Sequence, residues 1–150
     1  MRVLISACLL GCACRYDGGS RPHQAVQGLT DAFELIPVCP EQLGGLPTPR
    51  TPAERRGGSV VTKDGTDVTA PFLRGAEEVC RISKLLGAAH AILKSRSPSC
   101  GSGEIYDGTF TRTAVPGDGI TAEALKRMGV AVVTEEELER CLRQWKRDLV

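Results

Sequence analysis

Aromatic residues are scarce: Phe, Trp and Tyr together make up 4% of the 150-residue chain. That leaves little material for the stacking platforms that hold single-stranded nucleic acid. Net charge is nearly absent too, with 19 Lys and Arg against 18 Asp and Glu. This argues against a protein that coats nucleic acid or binds membranes through a polybasic face. Only two histidines occur, His23 and His90. Neither stands at a ligand-like spacing, and they read as a loop residue and a strand-edge residue. No apolar run is long enough for a membrane-spanning helix. The apolar stretch after Arg2 ends in Gly11-Cys12 and superficially resembles a signal segment. It is short, and Ser6 and Cys8 interrupt it, so it reads as a buried first strand. A cytoplasmic, reducing location is expected, where scattered cysteines are more often free, metal-bound or catalytic than paired.

What is present suffices for one domain, since 41% of 150 residues are hydrophobic. Apolar, β-rich segments at Arg2–Ala7, Phe33–Val38, His90–Lys94 and Val130–Val133 predict strands. A short helix is expected over His23–Gly28. Thr69-Ala70-Pro71 resembles a capped helix start with an early proline, and apolar residues from Phe72 to Leu86 follow at helical spacing before Gly87. Further helices are predicted at Thr121–Met128, closed by Gly129, and at Glu135–Arg147. Asp64-Gly65 predicts a hairpin between Ser59–Thr62 and Asp67–Thr69. The Pro- and Gly-rich stretch from Pro40 to Gly58, with Arg50, Arg55 and Arg56, reads as an ordered active-site loop or flap. The expected fold is therefore α/β: a single domain, 1–150, with a largely parallel Rossmann-like sheet flanked by helices and a small β-hairpin.

Seven cysteines are present. Cys8, Cys39 and Cys100 each follow a predicted strand, and in a parallel sheet the carboxyl ends of strands converge on the ligand-binding crevice. Thiols without histidine partners suit a soft metal or an iron–sulfur cluster. Three ligands on a four-iron cluster would leave one iron open for chemistry, whereas a fourth would favour electron transfer or a closed zinc site. Cys12 and Cys14 keep that alternative open. Cys80 and Cys141 lie among apolar residues and read as core. Glu41, held two residues past Cys39 by Pro40, is a candidate general base. The loop from Lys94 to Gly103 carries Ser95, Ser97, Ser99 and Ser102, whose hydroxyls and neighbouring N–H groups suit an anion or a developing oxyanion. Arg15, Tyr16 and Asp17 offer a guanidinium, a ring and a carboxylate for recognising a planar heterocycle.

Ser6-Ala7-Cys8-Leu9-Leu10-Gly11, Cys14-Arg15-Tyr16-Asp17-Gly18, Pro37-Val38-Cys39-Pro40-Glu41, Gly44-Gly45-Leu46-Pro47-Thr48-Pro49-Arg50 and Lys94-Ser95-Arg96-Ser97-Pro98-Ser99-Cys100-Gly101 follow one another in this order. The set resembles the bacterial thiouracil desulfidases of the TudS type, through most of the chain to about Val133. The resemblance implies an oxygen-sensitive [4Fe-4S] cluster on Cys8, Cys39 and Cys100, with the remaining iron taking the sulfur of a thiolated pyrimidine. It implies Glu41 as acid/base residue and Ser97 as assisting hydroxyl, with water replacing sulfur at the ring carbon and sulfide leaving. Cys12 has no counterpart in that pattern.

The expected partner is a small thiolated nucleobase or nucleoside, in preference to thiolated tRNA, although Arg50, Arg55 and Arg56 offer a local phosphate contact. Two competing readings accompany this one. The first is a non-enzymatic zinc or iron–sulfur module on Cys8, Cys12, Cys14 and Cys39. The second is a persulfide sulfur carrier with Cys100 as nucleophile, activated by Lys94 and Arg96.

Overall fold

The computed structural model describes residues 1–148. Its elements are β1 (Arg2–Ser6), a 3-10 turn (Ala7–Leu10), α1 (Gln24–Gln27), β2 (Glu34–Val38), α2 (Pro40–Leu43), β3 (Ala53–Arg56), β4 (Ser59–Thr62), α3 (Thr69–Leu86), β5 (His90–Leu93), β6 (Glu104–Tyr106), β7 (Ala114–Pro116), α4 (Ile120–Arg127), β8 (Ala131–Thr134) and α5 (Leu138–Asp148).

Four strands form one sheet in the order β2-β1-β5-β8. Every pairing in it is parallel, with Val3 opposite Leu35 and His90, and Ile92 opposite Val133. The central strand is buried on both sides, as its apolar run Val3-Leu4-Ile5 requires. Its side chains alternate between two cores. Val3 and Ile5 pack with Phe33, Leu138 and Trp145 on the α5 side, while Leu4 packs with Val79, Ala122 and Leu125 on the side of α3 and α4. This is the α/β fold the sequence predicts. The order also sets where ligands can enter. From β1 the chain passes outward to β2, then crosses to β5 on the other side, so the carboxyl ends of β1 and β5 flank a topological switch point.

The small hairpin differs from expectation. β3 and β4 pair antiparallel across Gly57-Gly58, which moves the hairpin one strand earlier and turns the end of the expected 40–58 loop into strand. The Asp64-Gly65 turn does form, with Thr62 N–H donating to Thr66 O at 2.8 Å, but its return makes a single bridge, Val61 to Asp67. Charged β3 is held because its polar groups have partners. Buried Glu54 accepts N–H bonds from Gly108 and Phe110, Arg55 reaches Asp118 O and Glu123, and Arg56 reaches Gly108 O.

A second hairpin, β6 with β7, is absent from the sequence reading. Its strands have three residues each, and β7 is exposed throughout, so neither carries a legible apolar alternation. At the start of α3, Thr69 is not the cap. Its hydroxyl accepts the Val60 N–H, and the Asp67 carboxylate accepts the Thr69 N–H at 2.8 Å. The other boundaries agree to within a few residues, α5 starting later than the predicted Glu135.

Two close approaches fix the parts that carry the site. Gly75 of α3 faces the carbonyl of Pro40, where a Cβ would lie 2.0 Å from that oxygen, and Gly44 meets Pro71 in the same way. Small residues at the crossing therefore let α2 lie directly on α3. At Gly119 a Cβ would lie 2.4 Å from the Ser99 carbonyl carbon, so the start of α4 supports the loop that ends in Cys100.

Candidate active site

Cys8, Cys39 and Cys100 follow the carboxyl ends of the adjacent strands β1, β2 and β5. Cys8 lies in the 3-10 turn that continues β1, whose last carbonyls are closed by Gly11 in a left-handed conformation. Cys39 is the N-cap residue of α2, fixed by Pro40 at the first helical position. Cys100 ends a short loop after β5 and is 5% exposed. Ser6 draws these ends together. Its hydroxyl oxygen accepts the Lys94 N–H at 2.9 Å, and the same side chain touches the Cys100 thiol.

Ser97 organises the Cys100 loop. Its hydroxyl oxygen accepts the N–H groups of Ser99 at 3.1 Å and Cys100 at 3.0 Å, which leaves its own proton free to be donated. Ser99 is fully buried, its hydroxyl shared with Thr121 at 2.9 Å, so it anchors the loop to α4. Lys94 and Ser95 are held from the opposite side by Glu135. That carboxylate takes bonds from Lys94 Nζ (3.0 Å), Ser95 N (2.8 Å) and Ser95 Oγ (2.6 Å). Sequence reasoning missed Glu135, which sits just past β8 and meets Lys94 only in the folded chain.

Glu41 lies in the first turn of α2 and pairs with Arg50, whose Nε stands 3.2 Å from Glu41 Oε1. Burial pushes the Glu41 carboxyl above the ordinary range, and Arg50 and Arg15 pull against that shift without cancelling it. Arg50 also donates from Nη2 to the carbonyl of Cys14 at 2.9 Å. Glu41 and Arg50 together line a cavity of about 370 Å³ with Leu46, Phe72, Thr62 and Thr66.

Of the substrate-binding candidates, Ser99 is buried and Arg15 lies near enough to Glu41 to act on its charge. The Arg15 guanidinium lies 5.4 Å from the centroid of exposed Tyr16, and its buried Nε stands 3.7 Å from Asp17 Oδ1, an ion pair too long for a hydrogen bond. Arg50 and Arg55 are engaged within the fold through several of their nitrogens, whereas exposed Arg56 is held through its Nε alone.

The thiols are crowded. Cys14 touches both Cys8 and Cys39, and the Cys39 thiol also lies 3.7 Å from the Cys14 carbonyl. Contact with Cys14, reinforced by burial, raises Cys39 far above an ordinary thiol. Contact with Cys39 lowers Cys14, but Cys8 and burial outweigh it and bring Cys14 up to about 11. Burial pushes Cys100 up to about 12. Raised in this way, the thiols are weak nucleophiles near neutral pH, and an electropositive centre would draw off their protons. Lys94 and Arg96 do not supply one for Cys100, because Lys94 pairs with Glu135, and Arg96 with Glu136 and Glu104. The activation required by the persulfide reading is therefore missing.

All seven cysteines are free. Cys12 is exposed, while Cys80 and Cys141 pack half-buried against the two cores. Among the described residues, no three His, Cys, Asp or Glu side chains gather as one ion requires. A cube with its ligands on separate irons asks for a wider set. Cys8, Cys39 and Cys100, sulfur donors on three strand ends, are chemically suited to it.

A family model described as 2-thiouracil desulfurase matches residues 3–137. The chain belongs to the 2-thiouracil desulfurase family. A relative from Bacillus subtilis (strain 168), the uncharacterized protein YbbK, is 41% identical over 150 residues, covering 93% of this chain and 99% of its own. A solved structure of the [4Fe-4S]-dependent thiouracil desulfidase TudS matches with a TM-score of 0.91 at 44% identity, covering 99% of both chains. Membership in the family agrees with the resemblance carried by the ordered motifs. Among the described residues no helix is long and apolar enough to cross a membrane.

Proposed function

We propose that this chain is an iron–sulfur-dependent desulfidase that converts a thiolated pyrimidine such as 2-thiouracil into the oxo-base and sulfide. What supports the reading is that Cys8, Cys39 and Cys100 each follow the carboxyl end of one of three adjacent parallel strands, with Glu41 and Ser97 on the same helix and loop as two of them. In this reading the three cysteines hold a [4Fe-4S] cluster, and residues 1–150 act as one cytoplasmic domain. When bound, the cluster supplies an open iron for the sulfur of the substrate.

The chain's own groups do the rest. Net hydrolysis consumes the thiobase and one water and yields the oxo-base and hydrogen sulfide, so no external electrons are needed. Glu41 takes the proton of the attacking water and returns it to the departing sulfur or ring nitrogen. Its raised pKa suits both halves of that exchange near neutral pH. Ser97 donates its remaining proton to the ring as charge develops there. In this reading Arg15, Tyr16 and Asp17 hold the ring, with Ser99 contributing through the loop it anchors. A free base or nucleoside suits this small, near-neutral domain better than a whole tRNA, and Arg50 and Arg55 are already engaged within the fold.

The test is anaerobic reconstitution with iron and sulfide, then assay of 2-thiouracil for uracil and released sulfide. Turnover with both products in equal amounts is expected. A reconstituted protein that leaves 2-thiouracil and thiouridine untouched but desulfurates thiolated tRNA would overturn the small-molecule assignment.

A further inference from the structure

Cys14 has no task in the chemistry described above, yet it is 5% exposed and in contact with the thiols of Cys8 and Cys39. Its position is enforced: the backbone carbonyl accepts Arg50 Nη2 at 2.9 Å, and the Cys39 thiol lies 3.7 Å from the same oxygen. We propose that Cys14 and Cys39 form a reversible disulfide in the cluster-free protein, and that this bond closes the site to cluster loading. The second half rests on the reading of Cys39 as a cluster ligand.

The oxidant is a small-molecule disulfide. Cys39 loses its proton, the slow step for a thiol held in this way, and attacks one of its sulfurs, and the other half takes up a proton and leaves as a thiol. Cys14 then loses its proton, attacks the Cys39 sulfur and expels the second small thiol. In sum, two protein thiols give up two protons and two electrons, and the small disulfide becomes two thiols. Excess thiol runs the exchange backwards. Cys39 is the point of entry because it is half-exposed, whereas Cys8, Cys14 and Cys100 are buried. Cys14 is the resolving partner because the fold holds it against Cys39 across 25 positions of sequence, making the second step intramolecular. Cys8 also touches Cys14 but is buried from the oxidant, Cys80 packs in the core of α3 and α4, and Cys141 lies on α5; exposed Cys12 is the remaining competitor, and its pairing with Cys14 would overturn the assignment. A disulfide at this stage also keeps Cys39 off the irreversible steps of thiol oxidation.

The experiment uses the full-length, cluster-free protein incubated with oxidised glutathione, then blocked with an alkylating agent, digested and mapped by mass spectrometry. A Cys14–Cys39 cross-linked peptide is expected, reversed by dithiothreitol. Iron uptake on anaerobic reconstitution should fall to background before that reduction and recover after it. In Cys14→Ser, glutathione should remain attached to Cys39, and iron uptake without oxidant should match wild type. A map that pairs Cys39 with another cysteine or with none overturns the disulfide, as does undiminished iron uptake by the cross-linked protein. The ligand reading is tested apart from the map: full iron uptake by reduced Cys39→Ser would refute it whatever the disulfide result.

Discussion

Arg50 holds Glu41 through its Nε, 3.2 Å from Oε1, while its Nη2 holds the backbone of Cys14, so one guanidinium sets the proposed base against the cysteine-bearing turn. The Arg50 side chain is 6% exposed and that of Glu41 18% exposed, so the pair is shielded from screening by salt. Glu41→Gln should leave iron content unchanged and lower kcat on 2-thiouracil by about 100-fold to 10,000-fold, the range ascribed to a positioned acid–base group. Steady-state kinetics on protein of matched iron content checks this. A loss confined to KM would assign Glu41 to binding alone.

Gly75→Ala should disturb the site from a distance. Its Cβ would press on the Pro40 carbonyl at the α2–α3 crossing, and α2 carries both Cys39 and Glu41 at its start. A cost of about 1–3 kcal/mol is expected for such overpacking. Urea denaturation and iron retention should fall together. Normal stability with normal iron content would show that α2 adjusts freely.

Glu135 should matter more than its place near the chain end suggests. Glu135→Ala removes three bonds to Lys94 and Ser95 and leaves the Lys94 ammonium, 21% exposed, without its partner. A loss of about 3 kcal/mol is expected, at the lower end for breaking a buried pair because Lys94 keeps some contact with water. Ser95→Ala removes the hydroxyl's bonds to Glu135 and from Lys94 but keeps the ion pair, and should cost less, about 1–2 kcal/mol. Chemical denaturation of the two variants beside wild type measures the difference, and equal losses would contradict it.

A pH dependence follows from His90, whose ring stands edge-on to Trp145 at 4.7 Å. Burial lowers its pKa below the ordinary value of 6.5. Between the two values the unfolded chain binds more protons than the folded one, so stability is present above the unfolded pKa and falls as pH drops through 6.5 toward the folded value. The urea midpoint followed by Trp145, the only tryptophan, should decrease between about pH 7.5 and pH 5.5. His90→Phe should show a smaller decrease, and an identical one would contradict the assignment.

The parallel sheet and its cysteines were legible because their signals are local. Val3-Leu4-Ile5 is a run only a doubly covered strand explains, and Cys8, Cys39 and Cys100 come soon after the strands that place them. Glu41 and Ser97 were singled out by the family motifs and by their closeness in sequence to Cys39 and Cys100, and the structure keeps Glu41 in the helix that Cys39 caps and Ser97 bonded to the Cys100 N–H. Other features escaped because they exist only across long separations. Glu135 and Lys94 are 41 positions apart, and nothing near either announces the other. Gly75 looks like a weak point in a helix until Pro40 is packed against it. The hairpin was misplaced because Asp64-Gly65 is the stronger turn pair by composition. Arg55 and Arg56 in β3 show no apolar alternation, and their partners lie beyond position 100.

The central claim is the three-cysteine ligand set, and counting iron and acid-labile sulfide after anaerobic reconstitution tests it most directly. Wild type should hold a four-iron cluster, and Cys12→Ala and Cys14→Ala should hold the same amount, while Cys8→Ala, Cys39→Ala and Cys100→Ala should each lose it. Full iron in any of those last three, or its loss in Cys12→Ala or Cys14→Ala alone, would contradict the account.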